Sequence, residues 1–149
     1  MTLDYAEELR LWEYTPSFER YSMLEADASH FTDPDNGFLA LVDAAGGLVG
    51  FRSYGPDGQV PGGTYDDSAF DMGGGLRPDL TGRGLGSYAI QIGIDYAWAT
   101  FDVQILRVTV WAENERALKV LRSLGFRPTD RFAATTSPDE YVVLTVRRA

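Results

Sequence analysis

Glycines recur at every second position in Gly82, Gly84 and Gly86, behind a strand-like run from Ser68 to Leu76 and ahead of an apolar segment with helical spacing. The order strand, glycine turn, helix has a chemical consequence. A helix N-terminus leaves backbone N–H groups unpaired and carries partial positive charge, so it suits an anion. Glycines remove the Cβ atoms that would hold a phosphate away from those groups. The segment reads as the seat of a phosphorylated ligand, with a tight strand-to-helix corner as the plainer use of the same residues. No lysine follows the glycines, which excludes the G-x-x-x-x-G-K-S/T loop of nucleoside triphosphatases. A dinucleotide fingerprint, G-x-G-x-x-G, fails as well. Counted from Gly82 its third glycine is Ser87, and counted from Gly73 it is Pro78.

The run Thr81-Gly82-Arg83-Gly84-Leu85-Gly86 resembles the acyl-CoA-binding loop of the GNAT superfamily of N-acetyltransferases, Arg/Gln-x-x-Gly-x-Gly/Ala. Thr81 replaces the usual Arg or Gln, which removes one side-chain contact and leaves the backbone part of the anion site intact. A second block, from Asn114 through Ala117 to Gly125-Phe126, resembles the family segment N-x-x-A-x-x-x-Y-x-x-x-G-F. Together the two blocks span roughly residues 69 to 126.

The resemblance implies an acyl-CoA-dependent transfer of an acetyl group from acetyl-CoA to a primary amine, on a small molecule or a peptide terminus, by direct attack. It implies a mixed α/β fold whose central sheet is mostly antiparallel, flanked by helices and splayed at the acyl-CoA slot. The pantetheine arm is expected alongside Met72 to Leu76, and the N–H near Leu76 is expected to polarise the thioester carbonyl. The cofactor set carried over is Gly75, Leu76, Arg77, Gly82, Arg83, Gly84, Leu85, Gly86, Ser87, Asn114, Ala117 and Lys119. Asn114 would bond pantetheine, cap a helix, or do both. Lys119 and Arg122 reach the adenosine phosphate or are solvated helix charges. Asp71 is the expected base; a one-residue slip at a strand bulge would present Phe70 instead, and Glu113, Tyr54 and Tyr65 are further candidates. Leu121 stands where many members carry the tyrosine that protonates the departing thiolate. That departure supports a second reading, a silent module that binds acyl-CoA and transfers nothing.

At 149 residues the chain can bury one core, and a single domain is expected. A net charge of −9 disfavours nucleic-acid binding and favours a cationic amine, although solubility alone explains many acidic surfaces. The chain has no cysteine, which excludes disulfides, thiolate metal sites and a cysteine nucleophile. His30, the only histidine, offers Ser87 no triad, and in Asp33-Pro34-Asp35-Asn36-Gly37 the glycine comes too early for a calcium loop. No metal is implied. No apolar run has spanning length, and Asp4, Glu7, Glu8 and Glu13 break any signal-peptide pattern, so no membrane and a cytoplasmic location are expected, as monomer or homodimer.

Tyr5, Leu9 and Trp12 share one helical face, and Thr15-Pro16 predicts a second helix carrying Phe18 and Tyr21. Phe38 to Val42 and Leu48 to Tyr54 predict a hairpin around Gly46-Gly47. After the glycine turn, Leu85, Ala89, Ile92 and Tyr96 mark a helical stripe. A strand at Ile105–Trp111, a helix opened by Asn114 and stopped at Gly125, and strands near residues 126–132 and 141–146 complete the order. The first strand usual in the family is short or missing.

Overall fold

The computed structural model describes residues 1–149. Its strands are β1 (Phe38–Val42), β2 (Leu48–Tyr54), β3 (Phe70–Leu76), β4 (Ile105–Trp111), β5 (Arg127–Ala133) and β6 (Glu140–Arg147). They form one sheet in the order β1-β2-β3-β4-β6-β5. Every neighbouring pair is antiparallel except β3 and β4. A parallel pair needs a crossover, and the long helix α3 (Gly86–Thr100) supplies it. The other helices are α1 (Leu3–Arg10), α2 (Ala28–Thr32) and α4 (Glu115–Ser123). No helix is long and apolar enough to cross a membrane.

Both faces of the sheet are covered, each by its own apolar cluster. Met72, Leu106, Leu144 and Phe126 pack with Ile94 and Ala97 of α3 and with Leu118 and Leu121 of α4. On the other face Phe51 and Leu48 pack with Ala6, Leu9 and Trp12 and with Ala28 and Phe31 of α2. Alternation along β2 therefore sends Phe51 to one cluster and Tyr54 to the other.

The strand sequence follows the expectation, and no strand precedes Phe38. Two readings fail. The second helix expected from Pro16 is a 3-10 turn over Pro16–Tyr21, because Phe18 leaves helical geometry at φ −123°. Helix resumes only at Ala28, where the Asp27 side chain caps Ser29 N–H. In α3 the buried face is Ala89, Gly93, Ile94 and Ala97, whereas Ile92 and Tyr96 of the expected stripe are exposed. A helix apolar on nearly every side gives periodicity little to choose between.

The β3–β4 pairing is what shapes the site. It holds only at Phe70↔Leu106 and Asp71↔Arg107. Beyond Asp71 the two strands diverge, while β3 stays paired with β2 through Leu76 and β4 with β6 through Trp111. The sheet is split by a wedge-shaped slot that opens towards the glycine turn.

Candidate functional site

One wall of the slot is β3. Gly55 N–H donates to the Asp71 carbonyl and Arg77 N–H to the Val49 carbonyl, both at 2.9 Å, so odd-numbered residues of β3 turn their backbone groups towards β2. The even-numbered ones alternate away from it. Gly74 and Leu76 thus present backbone to the slot, while Gly75 and Arg77 are paired with β2. Arg77 is further committed through its guanidinium, which donates to the Leu48 carbonyl and to Asp79. The register brings Leu76 to the slot and keeps Arg77 out of it.

The glycine turn closes the wide end. Gly82 and Gly84 adopt φ of +74° and +77°, values that side-chain-bearing residues avoid. No side-chain oxygen caps α3, whose N-cap is Leu85, so its first N–H groups are left for another partner. A Cβ at Gly84 would meet nothing within 4 Å; space there is open. Arg83 is exposed beside the turn and makes no ion pair. A second cation lies closer than sequence suggested: the Arg116 guanidinium of α4 comes 3.5 Å from where a Gly82 Cβ would sit. Nothing in the spacing of Arg116 signals this, because it depends on how α4 docks against the turn.

Asn114 ends the opposite wall. Its Oδ1 accepts from Ala117 N–H at 3.2 Å, which caps α4, and its Nδ2 donates to the Tyr21 hydroxyl at 3.1 Å. Tyr21 meets Tyr14 edge-on at 6.2 Å, and the Tyr14 hydroxyl donates to the Leu76 carbonyl at 2.6 Å. The segment from Tyr14 to Tyr21 therefore ties the far end of β3 to the far end of β4. Phe18 packs on Trp111, and Arg20 lies over the same indole at 3.4 Å while pairing with Asp139. Burial pushes the Tyr14 hydroxyl up to about 12 and raises that of Tyr21. Both hydroxyls stay protonated at neutral pH. Lys119 and Arg122 are exposed on α4, away from any salt bridge.

At the narrow end sits Asp71, 4% exposed. Its Oδ1 accepts from Arg107 Nε at 2.7 Å; its Oδ2 accepts from Arg107 at 2.9 Å and from Gln59 Nε2 at 2.9 Å. The Asp71 carboxylate, helped by Asp66, raises the Arg107 pKa. These bonds fill both acceptor sites of Oδ2 and leave one on Oδ1 for an incoming proton. Phe70 points into the aromatic packing with Tyr54 and Phe101 and offers no slipped alternative. Tyr54 donates to the Gly93 carbonyl and is pushed up to about 12 by burial, which makes it a poor base. Tyr65 bonds Val60 N–H and Thr109. Glu113 is exposed beside Asn114. Leu121 is 3% exposed and belongs to the core, so it does not line the slot.

A sequence model of the acetyltransferase (GNAT) domain matches residues 3–127. No curated protein sequence matches the chain. Among solved structures, a chimera built on the Vibrio cholerae spermidine N-acetyltransferase SpeG is similar at a TM-score of 0.72 and 14% identity, covering 99% of this chain and 92% of that one. The ribosomal-protein-S5-alanine acetyltransferase of Vibrio fischeri aligns at 0.63 and 16%, over 99% and 90%. Mycobacterium smegmatis RimJ in complex with CoA-disulfide aligns at 0.66 and 18%, over 99% and 79%. At these identities the likeness is one of fold.

Proposed function

Because this chain belongs to the GNAT acetyltransferase family, we propose that it transfers an acetyl group from acetyl-CoA to a primary amine, the amine attacking the thioester directly. One observation carries this: the sheet is split by a slot with free strand backbone on one wall, and the slot ends on an uncapped, glycine-lined helix N-terminus. An extended pantetheine arm pairs with the free edge of β3, and a pyrophosphate meets the N–H groups from Gly82 to Ser87. Arg83 and Arg116 add side-chain charge to that anion site, with Leu85 and Gly86 at its floor. Gly74 and Leu76 offer the N–H groups that polarise the thioester carbonyl. Asn114 holds pantetheine while capping α4 at Ala117, and Lys119 answers the adenosine phosphate.

The structural neighbours named for spermidine and for a ribosomal-protein alanine act on amines of very different size. The proposal here is correspondingly a primary amine on a small molecule or a protein N-terminus, drawn in by the net charge of −9. Asp71 remains the proposed proton acceptor, acting through a water at the remaining acceptor site of Oδ1. Leucine in place of tyrosine at position 121 favours a second reading, a domain that binds acyl-CoA without transfer. A free-thiol release assay with acetyl-CoA and a broad amine panel separates the two. Release with any amine supports transfer; CoA binding with no release from any of them supports the silent module.

A further inference from the structure

Arg52, Ser53, Asp71 and Arg107 are the polar or charged residues buried in this molecule. Asp71 and Arg107 neutralise each other. Arg52, 6% exposed, takes part in none of the ion pairs, and its one hydrogen bond runs from Nε to the Phe51 carbonyl at 2.7 Å. No buried side-chain nitrogen is left fully enclosed without a partner, so the free terminal nitrogens of Arg52 border open space. An uncompensated charge inside a protein is strongly destabilising, and this one is kept.

The room for it is built. Arg52 lies on β2 opposite Gly74 on β3 and reaches across that glycine, where a Cβ would overlap the guanidinium. Above it, a Cβ at Gly93 of α3 would come within 2.7 Å of Arg52 Cδ. Two residues without side chains thus make a channel from β2 over β3 towards the slot. Gly74 lies three positions beyond the last residue pairing β3 with β4, and its own N–H faces the opening. The titratable groups whose charge would act on Arg52 are the Tyr54 and Tyr14 hydroxyls, both pushed up to about 12 chiefly by burial and therefore neutral. Burial lowers Arg52 itself to about 10, still a cation at neutral pH.

We infer that Arg52 is the anion-stabilising group of the slot: with Gly74 N–H it holds the negative charge that forms on the acyl donor, first on the carbonyl oxygen and then on the departing sulfur. This rests on the acyl-CoA reading of the slot. In the step concerned the amine nitrogen bonds the carbonyl carbon and the π pair moves to oxygen. The pair then returns, the C–S bond breaks, and sulfur leaves with its electrons as thiolate. The ammonium proton passes to water or to Asp71, and Arg52 keeps its protons throughout. A fixed positive charge replaces the proton that Leu121 cannot give.

The test is the pKa of the CoA thiol in the complex, followed by thiolate absorbance against pH, in wild type, Arg52→Met and Arg52→Lys. Affinity for desulfo-CoA, which lacks the sulfur, is measured alongside. Wild type should hold the bound thiol at least about one unit below free CoA. Arg52→Met should restore the free value and lower turnover by about 100-fold, with desulfo-CoA affinity unchanged. Arg52→Lys should keep most of the thiol shift. Arg52→Met is expected to fold, since replacing a buried charge by a hydrophobe of similar length is commonly tolerated, and desulfo-CoA binding checks it. The same thiol pKa in wild type and Arg52→Met, with CoA bound, would overturn the role of Arg52 alone. So would a preference for succinyl-CoA that vanishes in Arg52→Met without any thiol shift, which would put a donor carboxylate on the guanidinium. Binding of neither CoA nor desulfo-CoA to wild type would instead overturn the reading of the slot.

Discussion

Gly84 and Gly46 form a matched pair of residues. Both hold a left-handed φ, +77° and +83°, and a Cβ at either would meet nothing within 4 Å. Aspartate tolerates that conformation better than most residues, so Gly84→Asp and Gly46→Asp should cost similar stability. Only the first puts negative charge at the α3 N-terminus. Isothermal titration should find CoA binding lost in Gly84→Asp and kept in Gly46→Asp; equal affinities would remove the turn from the cofactor site. Asp71 can be judged just as directly. If it is chiefly the partner of Arg107, Asp71→Asn leaves a buried cation under-compensated, and urea unfolding should report a loss of up to about 3–5 kcal/mol. If it also accepts the amine proton, the pH–rate profile of the surviving folded fraction should change. A stable variant with a wild-type profile would leave Asp71 neither role.

Packing between elements explains what sequence could and could not disclose. The glycine turn and the Asn114 cap were legible because each rests on local chemistry: a positive φ, or an oxygen three residues from an N–H. The succession of strands along the chain was legible from alternation, and the slot followed from family likeness. What stayed hidden depends on long-range contacts. Asp71 meets a guanidinium 36 residues away, Tyr14 a carbonyl 62 away, and Tyr21 an amide 93 away. Gly93 belongs to this class. As a mid-helix glycine it sacrifices about 1 kcal/mol of helix propensity, and Arg52 is the reason it can. Gly93→Ala should therefore destabilise wild type and cost less in an Arg52→Ala background, where only the Tyr54 hydroxyl, 3.3 Å from the new Cβ, still has to give; a double-mutant cycle reads the coupling. Without that coupling, α3 does not need its glycine for the arginine.

Taken as a whole, the molecule is acidic outside and holds its unpaired cation inside, an arrangement with a signature in pH. Tyr14 and Tyr54 are raised from 10.0 to about 12, so between those values the folded state binds more protons on them than the unfolded state does. Stability from them is fully present below pH 10 and is lost as pH rises towards 12. Arg52 is lowered from its ordinary value to about 10, which works in the opposite sense over the same range. Tyr21 is raised as well, and three tyrosines against one arginine leave a net alkaline decline in denaturant-measured stability, which Arg52→Met should steepen. A parallel decline in both proteins would mean that Arg52 is not the depressed group. The acyl-CoA reading itself is tested most directly by thermal unfolding with and without CoA, because the slot and the anion site exist together only in the folded state. Ligand at about a hundred times its dissociation constant adds about 2.7 kcal/mol, so the midpoint should rise by roughly 5–10 °C. An unfolding midpoint that does not move at millimolar CoA would contradict the account.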